Sequence, residues 1–478
     1  MQESRQKARQ TWILVLASMA SFMVSLDALV VTTALTTIHR DLGVSIEALE
    51  WTVNAYTLSF AVLLIPAAAL GDRFGRQRMF VAGHLLFVGA SAGCALAHTI
   101  GWLIAARTVQ GCGAALVLPL ALTLLSNAFE PVQRGRALGI FGSISGLALI
   151  AGPVVGGFIA QGLAWQWIFW LNVPIGLLVV ILVLLRVQES FGPRTPLDIG
   201  GLLSVSGAAL GLVWGLVRGN SAGWSSFEVK ASLTTGVLLT VIFVVWELRV
   251  PTPMVPMHFF RARAFSAGNA AIFLQSAALF GSIFLIAQFF QMVQGNGPLG
   301  AGLRLLPWTA TLFVIAPLGG ALVNRVGERV LIAGGLLLQA LGMAWIALVT
   351  APSLPYVEIV TPMLIAGCGV SLAIPAMQNA VIGAVNAGDI GKASGAFSMF
   401  RQLGGAFGVA TLAAVFAATG SLGSAQAFSS GFANALEVAA GLSLLGAIAG
   451  LVQPGRPTKA IEPDESQTAA THEEALSL

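Results

Sequence analysis

Apolar runs of about 20 residues recur from one end of this chain to the other, and each can cross about 30 Å of hydrocarbon at 1.5 Å per residue. Fourteen can be marked, at 12–36, 48–70, 79–97, 101–126, 136–160, 167–186, 197–218, 228–248, 266–291, 301–323, 329–350, 356–383, 394–418 and 433–452. A soluble fold cannot hide so many. Charged residues make up 9% of the chain, where a soluble domain carries about 25%. So few charges cannot cover a protein of 478 residues in water. The chain therefore reads as an all-α integral membrane protein, because a helix satisfies its own backbone in lipid. The first run is too long for a cleavable signal peptide and lacks a small-residue cleavage site.

Lys and Arg set the orientation. With the N-terminus inside, eighteen of the twenty-four basic residues fall in inner segments. Three (Arg40, Arg218, Lys230) fall outside, and three (Arg107, Arg304, Arg401) lie within runs. Both termini are thus expected on the cytoplasmic side of the plasma (inner) membrane. The expected organisation is an N-terminal tail (1–11), six helices (12–186), a linker with two inserted helices (187–250), six more helices (251–453) and a disordered tail (454–478). The two sixes echo one another weakly. ALGDRFGRQR at the end of the second run resembles ALVNRVGERV at the end of the tenth, and QGCGAALVLPLAL in the fourth resembles IAGCGVSLAIPAM in the twelfth. Parallel halves of this kind build a central site in many transporters.

Charges inside the runs are the candidates for chemistry, since an intramembrane acid costs about 2.5–3.5 kcal/mol on insertion scales. Asp27 lies deep in the first run and Arg107 in the fourth. Their depths are similar, about 22 Å and 28 Å from the inner ends of their spans. A carboxylate that gains and loses an arginine neighbour is a proton switch. Arg401 is also deep, whereas Arg304 and Glu437 sit near outer ends. Asn54, Tyr56, Gln275, Gln288, Gln378 and Asn379 are polar groups within runs. Any of them can line a cavity or bond a neighbouring helix. Gly152, Gly156 and Gly157 with Pro153, in IAGPVVGGFIA, form a small-residue helix face, which lets helices approach closely.

The bridge GDRFGRQR concentrates Asp72, Arg73, Arg76 and Arg78 between two apolar runs. Gly71 and Gly75 are expected to allow a tight turn there. Glu130, at the inner end of the fourth run, is a candidate partner for Arg76. Cys94, Cys112 and Cys368 stand singly, with no metal or disulfide spacing. The enzyme motifs HExxH, GxSxG in context and GxxxxGK[ST] are absent. No enzyme activity, cofactor or metal is expected.

Together these stretches resemble the major facilitator superfamily, and within it the fourteen-span drug:proton antiporter family. The likeness covers nearly all of residues 12–453. Asp72, Arg73, Gly75, Arg76 and Arg78 match the family's inner-loop signature, although Ala68 and Gln77 depart from it. LDALVVTTAL resembles the first-span motif and RTVQGCGAA the fourth-span motif, which implies proton-coupling roles for Asp27 and Arg107. AGPVVGG resembles the fifth-span antiporter motif, carried by Gly152, Pro153, Gly156 and Gly157, and implies export. WQWIFWLNVPIG, AGLRLLP and RQLGGAFGVA look like further signatures of the fourteen-span branch.

The resemblance implies a proton-coupled antiporter working by alternating access. Asp72, Arg73, Gly75, Arg76, Arg78 and Glu130 would form a conformational gate. Asn54, Tyr56, Gln275, Gln378, Asn379 and Arg401 are the candidate substrate cavity. Aromatic walls favour amphipathic cargo, including cations. The expected partners are a small amphipathic substrate, protons and the lipid bilayer, with no nucleic acid, and a monomer is expected to suffice. A dedicated exporter of an endogenous lipid or secondary metabolite is the alternative. An uptake symporter and a non-transporting receptor are alternatives of other classes.

Overall fold

The computed structural model describes residues 2–43, 46–148, 151–152, 155–156, 158–159, 163–192, 198–251, 253, 255–421 and 423–454. Helices supply the regular structure, and the described residues contain no strand. The first bundle holds α1 (Gln2–Leu42), α2 (Ile46–Phe74), α3 (Arg76–Ala95), α4 (Ile100–Ala128), α5 (Pro131–Gly146) and α6 (Trp167–Arg186, interrupted at Leu171). The hairpin α7 (Ile199–Ala222) and α8 (Phe227–Glu247) follows. The second bundle holds α9 (Arg263–Met292), α10 (Leu306–Val326), α11 (Glu328–Val349), α12 (Tyr356–Gly383), α13 (Ile390–Thr419) and α14 (Ala425–Leu451).

Among the described residues, twelve helices are long and apolar enough to cross a membrane. They leave out α2 and α5, whose described residues do not meet that standard. The segment expected to be an N-terminal tail is helical from Gln2 and continues straight into α1. Residues 455–478 of the C-terminal tail lie outside the described residues.

The two bundles are built alike. In the first, α4 packs on α1, α2 and α3, α6 on α1 and α3, and α5 on α1. In the second, α12 packs on α9, α10 and α11, α14 on α9 and α11, and α13 on α9. The sequence echoes fall at matching places. Gly75 (φ 106°) and Gly327 (φ 91°) make the turns between α2 and α3 and between α10 and α11, a conformation that costs glycine least. Gly111 of α4 abuts Tyr56 and Ser59 of α2, while Gly113 abuts Gly83 and Phe87 of α3. Gly367 of α12 abuts Trp308 and Thr311 of α10, while Gly369 abuts Gly335 and Gln339 of α11. Gly71, expected to shape a turn, is instead helical and packs on Leu120 of α4.

The bundles meet along two seams, α2 with α13 and α5 with α10. Exchanging the halves turns one seam into the other. The α5–α10 seam is closed by small residues, and a Cβ on Gly135 would stand 2.6 Å from the Gly320 carbonyl oxygen. The α7–α8 hairpin breaks the symmetry, because α7 rests on both α2 and α13. Its tethers are Trp214 against Trp51 (4.8 Å between ring centres) and Ser206 Oγ donating to the Val62 carbonyl (3.3 Å). Arg73, Arg76, Arg186, Arg249, Arg263 and Arg325 mark one end of the molecule as its basic end.

Candidate functional site: a buried ion pair and a basic-end clamp

Asp27 and Arg107 meet, and both side chains are 0% exposed. Arg107 Nη1 donates to Asp27 Oδ2 at 2.5 Å and to Gln110 Oε1 at 2.9 Å, and its Nε donates to the Thr52 carbonyl at 3.1 Å. The second carboxylate oxygen, Oδ1, accepts from Gln110 Nε2 (2.9 Å) and Asn172 Nδ2 (2.8 Å). Asn172 also donates to Ser91 Oγ (3.1 Å), whose hydroxyl donates to the Phe169 carbonyl (2.9 Å). The Arg107 guanidinium lies over the Tyr56 ring at 4.1 Å. Tyr56 is fixed in turn by its hydroxyl donating to the Val24 carbonyl (3.3 Å).

Five helices of one bundle thus converge on a single carboxylate: α1, α2, α3, α4 and α6. Burying two charges costs several kcal/mol per ion unless geometry and extra hydrogen bonds repay it. Here three N–H groups face the two oxygens, which is how the pair survives away from water. Gln110 and Asn172 are the residues sequence reasoning missed. Gln110 lies three residues after Arg107, one helical turn along the same face. Asn172 is a lone amide within an apolar run.

The GDRFGRQR bridge forms a separate site at the basic end. Arg76 Nε donates to Asp72 Oδ1 at 2.8 Å, and both side chains are buried. Arg73 and Arg78 are exposed. The bridge is bound to the chain that follows α6, not to Glu130. Glu189 Oε1 accepts from the Gln77 amide N–H (2.9 Å), and its Oε2 accepts from the Arg78 amide N–H (3.1 Å). Arg78 also pairs with Glu189 at 3.6 Å. Gln77, the departure from the family signature, donates its side-chain amide to the Val183 and Val187 carbonyls (3.2 and 3.0 Å) at the end of α6. Glu130 is exposed at the start of α5, and the carboxylate of Arg76 is Asp72.

Asp72 also faces the other bundle. A Cβ on Gly391, in the first turn of α13, would fall 2.5 Å from Asp72 Oδ2. The carboxylate therefore sits at a helix N-terminus, where the backbone dipole favours negative charge. Burial pushes the Asp72 carboxyl above its ordinary range, while Arg76 and then Lys392 pull it back.

The remaining candidates are spread out. Asn379 ties α12 to α11 by donating to Glu328 Oε1 at 2.8 Å, rather than lining a cavity. Gln275 and Gln378 are buried in the second bundle, and each keeps one amide atom without a partner among the described residues. Arg401 is half-buried on α13. Asn54 lies in α2, with its side chain outside the described residues. Gly152 and Gly156 are helical and buried, whereas Pro153 and Gly157 lie outside the described residues. Arg304 is held by Gln294, by the Tyr356 ring at 5.2 Å and by the Phe290 ring at 6.0 Å. Glu437 is exposed on the side of α14 that also shows Leu444 and Ile448.

Residues 17–409 match the family model of the Major Facilitator Superfamily. The chain belongs to the major facilitator superfamily. It is 35% identical over 411 residues to the multidrug resistance protein Stp of Mycobacterium tuberculosis, covering 86% of this chain and 76% of that one. It is 32% identical to the tetracenomycin C resistance and export protein of Streptomyces glaucescens, covering 83% and 74%. It is 34% identical to the methylenomycin A resistance protein of Streptomyces coelicolor, covering 83% and 84%. Its fold resembles that of the human organic anion transporter MFSD10, with a TM-score of 0.61 and 16% identity over 94% of this chain and 99% of that one. This superfamily member is thus a multi-pass membrane transporter of small molecules, and not an enzyme.

Proposed function

We propose that this transporter is a proton-driven exporter of amphipathic small molecules, with Asp27 as the group that carries the proton. The observation behind this is the buried Asp27–Arg107 pair with its amide supports. Protonating Asp27 removes the charge that holds Arg107 Nη1, while Gln110, the Thr52 carbonyl and the Tyr56 face remain to hold the guanidinium. The proton therefore changes how α1 and α4 are joined without stranding Arg107. Names of relatives that include resistance and export support the outward direction.

Among the described residues, the second bundle carries no carboxylate at the matching place. There Ser282 of α9 and Ser443 of α14 both donate to Met343 Sδ of α11, at 3.7 and 3.6 Å. This neutral cluster joins the helices equivalent to α1, α6 and α3. A single mid-span carboxylate near a bundle centre among the described residues points to one coupled proton per cycle.

The topology that fits is fourteen spans, with α2 and α5 crossing beside the twelve apolar helices and the basic end in the cytoplasm. The halves then rock about a midplane cavity. The basic-end clamp acts as a latch that holds the cytoplasmic side shut, since Asp72 reaches from the α2–α3 bridge to the start of α13. Asp72→Asn is expected to shift the population toward a state open at the basic end. Spin-label distances across the α2–α13 seam report this, and an unchanged distribution removes the latch.

The function is tested in proteoliposomes carrying an imposed pH gradient. The gradient should drive amphipathic dyes uphill against proton flow, and dissipating it should stop accumulation. Saturable export of a single compound from a wide panel would favour a dedicated metabolite exporter. Among the described residues the one mid-span carboxylate near a bundle centre, Asp27, is already engaged by Arg107. Nothing in that geometry selects for cationic cargo.

A further inference from the structure

Among the described residues, Arg401 stands apart from the other deep charges. It is the twelfth residue of α13, about 17 Å along the axis from the start of that helix at the basic end. Asp27 and Arg107 neutralise each other. Arg401, by contrast, has no ion pair, hydrogen bond or aromatic face among the described residues, and its side chain is neither fully buried nor fully exposed. The nearest acid preceding it on its own helix is Asp389 at the N-cap, which is paired with Lys392 at 3.6 Å. An unpaired guanidinium at this depth is costly, and intramembrane cations mark ligand or ion pathways.

The next turn of α13 meets aromatic residues. Gly404 and Gly405 follow Arg401 by one helical turn and so share its face of α13. Gly404 lies against the Phe273 carbonyl, and a Cβ on Gly405 would touch the Phe280 ring at 3.0 Å. These glycines bring α13 close to α9, so Phe273 and Phe280, both partly open, lie against α13 one turn further along it than Arg401. Phe273 in turn contacts Phe407 at 5.5 Å between ring centres.

We propose that Arg401, with Phe273 and Phe280 one turn further along the α9–α13 contact, binds the acidic group of an aromatic anionic substrate, such as an aryl carboxylate. The guanidinium supplies a planar fork of donors that matches a carboxylate. The phenylalanines cover the ring that follows it. This deepens the transport reading and rests on it for the site's purpose, but the binding preference does not depend on proton coupling.

The test uses the purified full chain in nanodiscs, with 2-naphthoate, 2-naphthamide and 2-naphthylmethylammonium as probes and empty nanodiscs as the blank. The wild type is expected to bind naphthoate at least about 10-fold more tightly than the amide or the ammonium, the discrimination of one good charge-assisted contact. Arg401→Gln should bring the three within about 2-fold, while Arg401→Lys should keep the order with a smaller ratio. Asp27→Asn should keep the naphthoate preference, which separates this site from the proton site. Equal binding of the three by the wild type overturns the proposal. So does a naphthoate preference that survives in Arg401→Gln, or one lost equally in Arg401→Lys and Asp27→Asn. If the preference holds while a pH gradient drives no export, the proton-driven reading fails and the anion site stands.

Discussion

Replacing Asp27 by asparagine is expected to abolish uphill export on a pH gradient, lowering it by at least about 100-fold, while downhill exchange of substrate persists. The reasoning starts from the hydrogen bonds. Asparagine has nearly the shape of a protonated aspartate, so Gln110, Asn172 and Arg107 keep neighbours in the same places. What disappears is the titratable charge. A carrier that cannot lose the proton still rocks, yet it has no reason to move a proton with each turn. Differential affinity between two states is the only means by which a ligand, here the proton, shifts a conformational equilibrium. Uphill accumulation in proteoliposomes and counterflow in the absence of a gradient separate the two activities. An Asp27→Asn protein that still accumulates substrate against its gradient would remove Asp27 from the coupling.

The second large effect is on stability. Removing one member of a buried pair strands the other charge and costs about 3–5 kcal/mol. Arg107→Ala leaves the Asp27 carboxylate with two amide donors and no cation. Asp27→Asn leaves Arg107 with Gln110, the Thr52 carbonyl and the Tyr56 ring at 4.1 Å. Arg107→Ala is therefore expected to be the more damaging single change. The double variant Asp27→Asn with Arg107→Gln should be more stable than Arg107→Ala, since neither charge is left alone. Residues in one network commonly couple by about 0.5–3 kcal/mol. Thermal unfolding of the wild type, Asp27→Asn, Arg107→Gln and the double variant in one detergent measures this coupling, and additive losses would show that the pair contributes nothing jointly.

Much of this was legible in the sequence because membranes impose simple rules. Run length gives helices and the basic residues mark one end. Counting rise per residue places Asp27 and Arg107 at similar depth, and the structure joins them. Depth says nothing about rotation around the helix, so it could not say which amides would complete the site. Gln110 was within reach of a one-turn rule applied to Arg107. Asn172 was not, because α6 meets α1 through packing between segments 145 residues apart in the chain. The same gap explains the clamp. Glu130 was the visible acid at an inner helix end, but Glu189 lies where the chain leaves α6 and reaches the bridge through space. Gly71 and Gly75 look alike in sequence, and only the fold makes one a turn and the other a packing contact with Leu120. Asn379 reads as a cavity residue from its composition alone, until α11 supplies Glu328 as a partner.

The repeat was faint in sequence and plain in three dimensions. Two glycines in α4 and two in α12 each select a neighbouring helix by the same pair of close approaches. The chemistry of the halves has diverged where their backbones have not. One bundle keeps an acid, an arginine and two amides, and the other a serine–methionine–serine cluster.

Proton release on substrate binding to the purified protein, in weakly buffered solution near neutral pH, tests the central claim most directly. With a pH indicator and a saturating amphipathic substrate, the protein should release up to one proton per chain, with none released by Asp27→Asn. Release from Asp27→Asn equal to that of the wild type, or none from a wild type that binds substrate across the range from about pH 5 to 8, would contradict it.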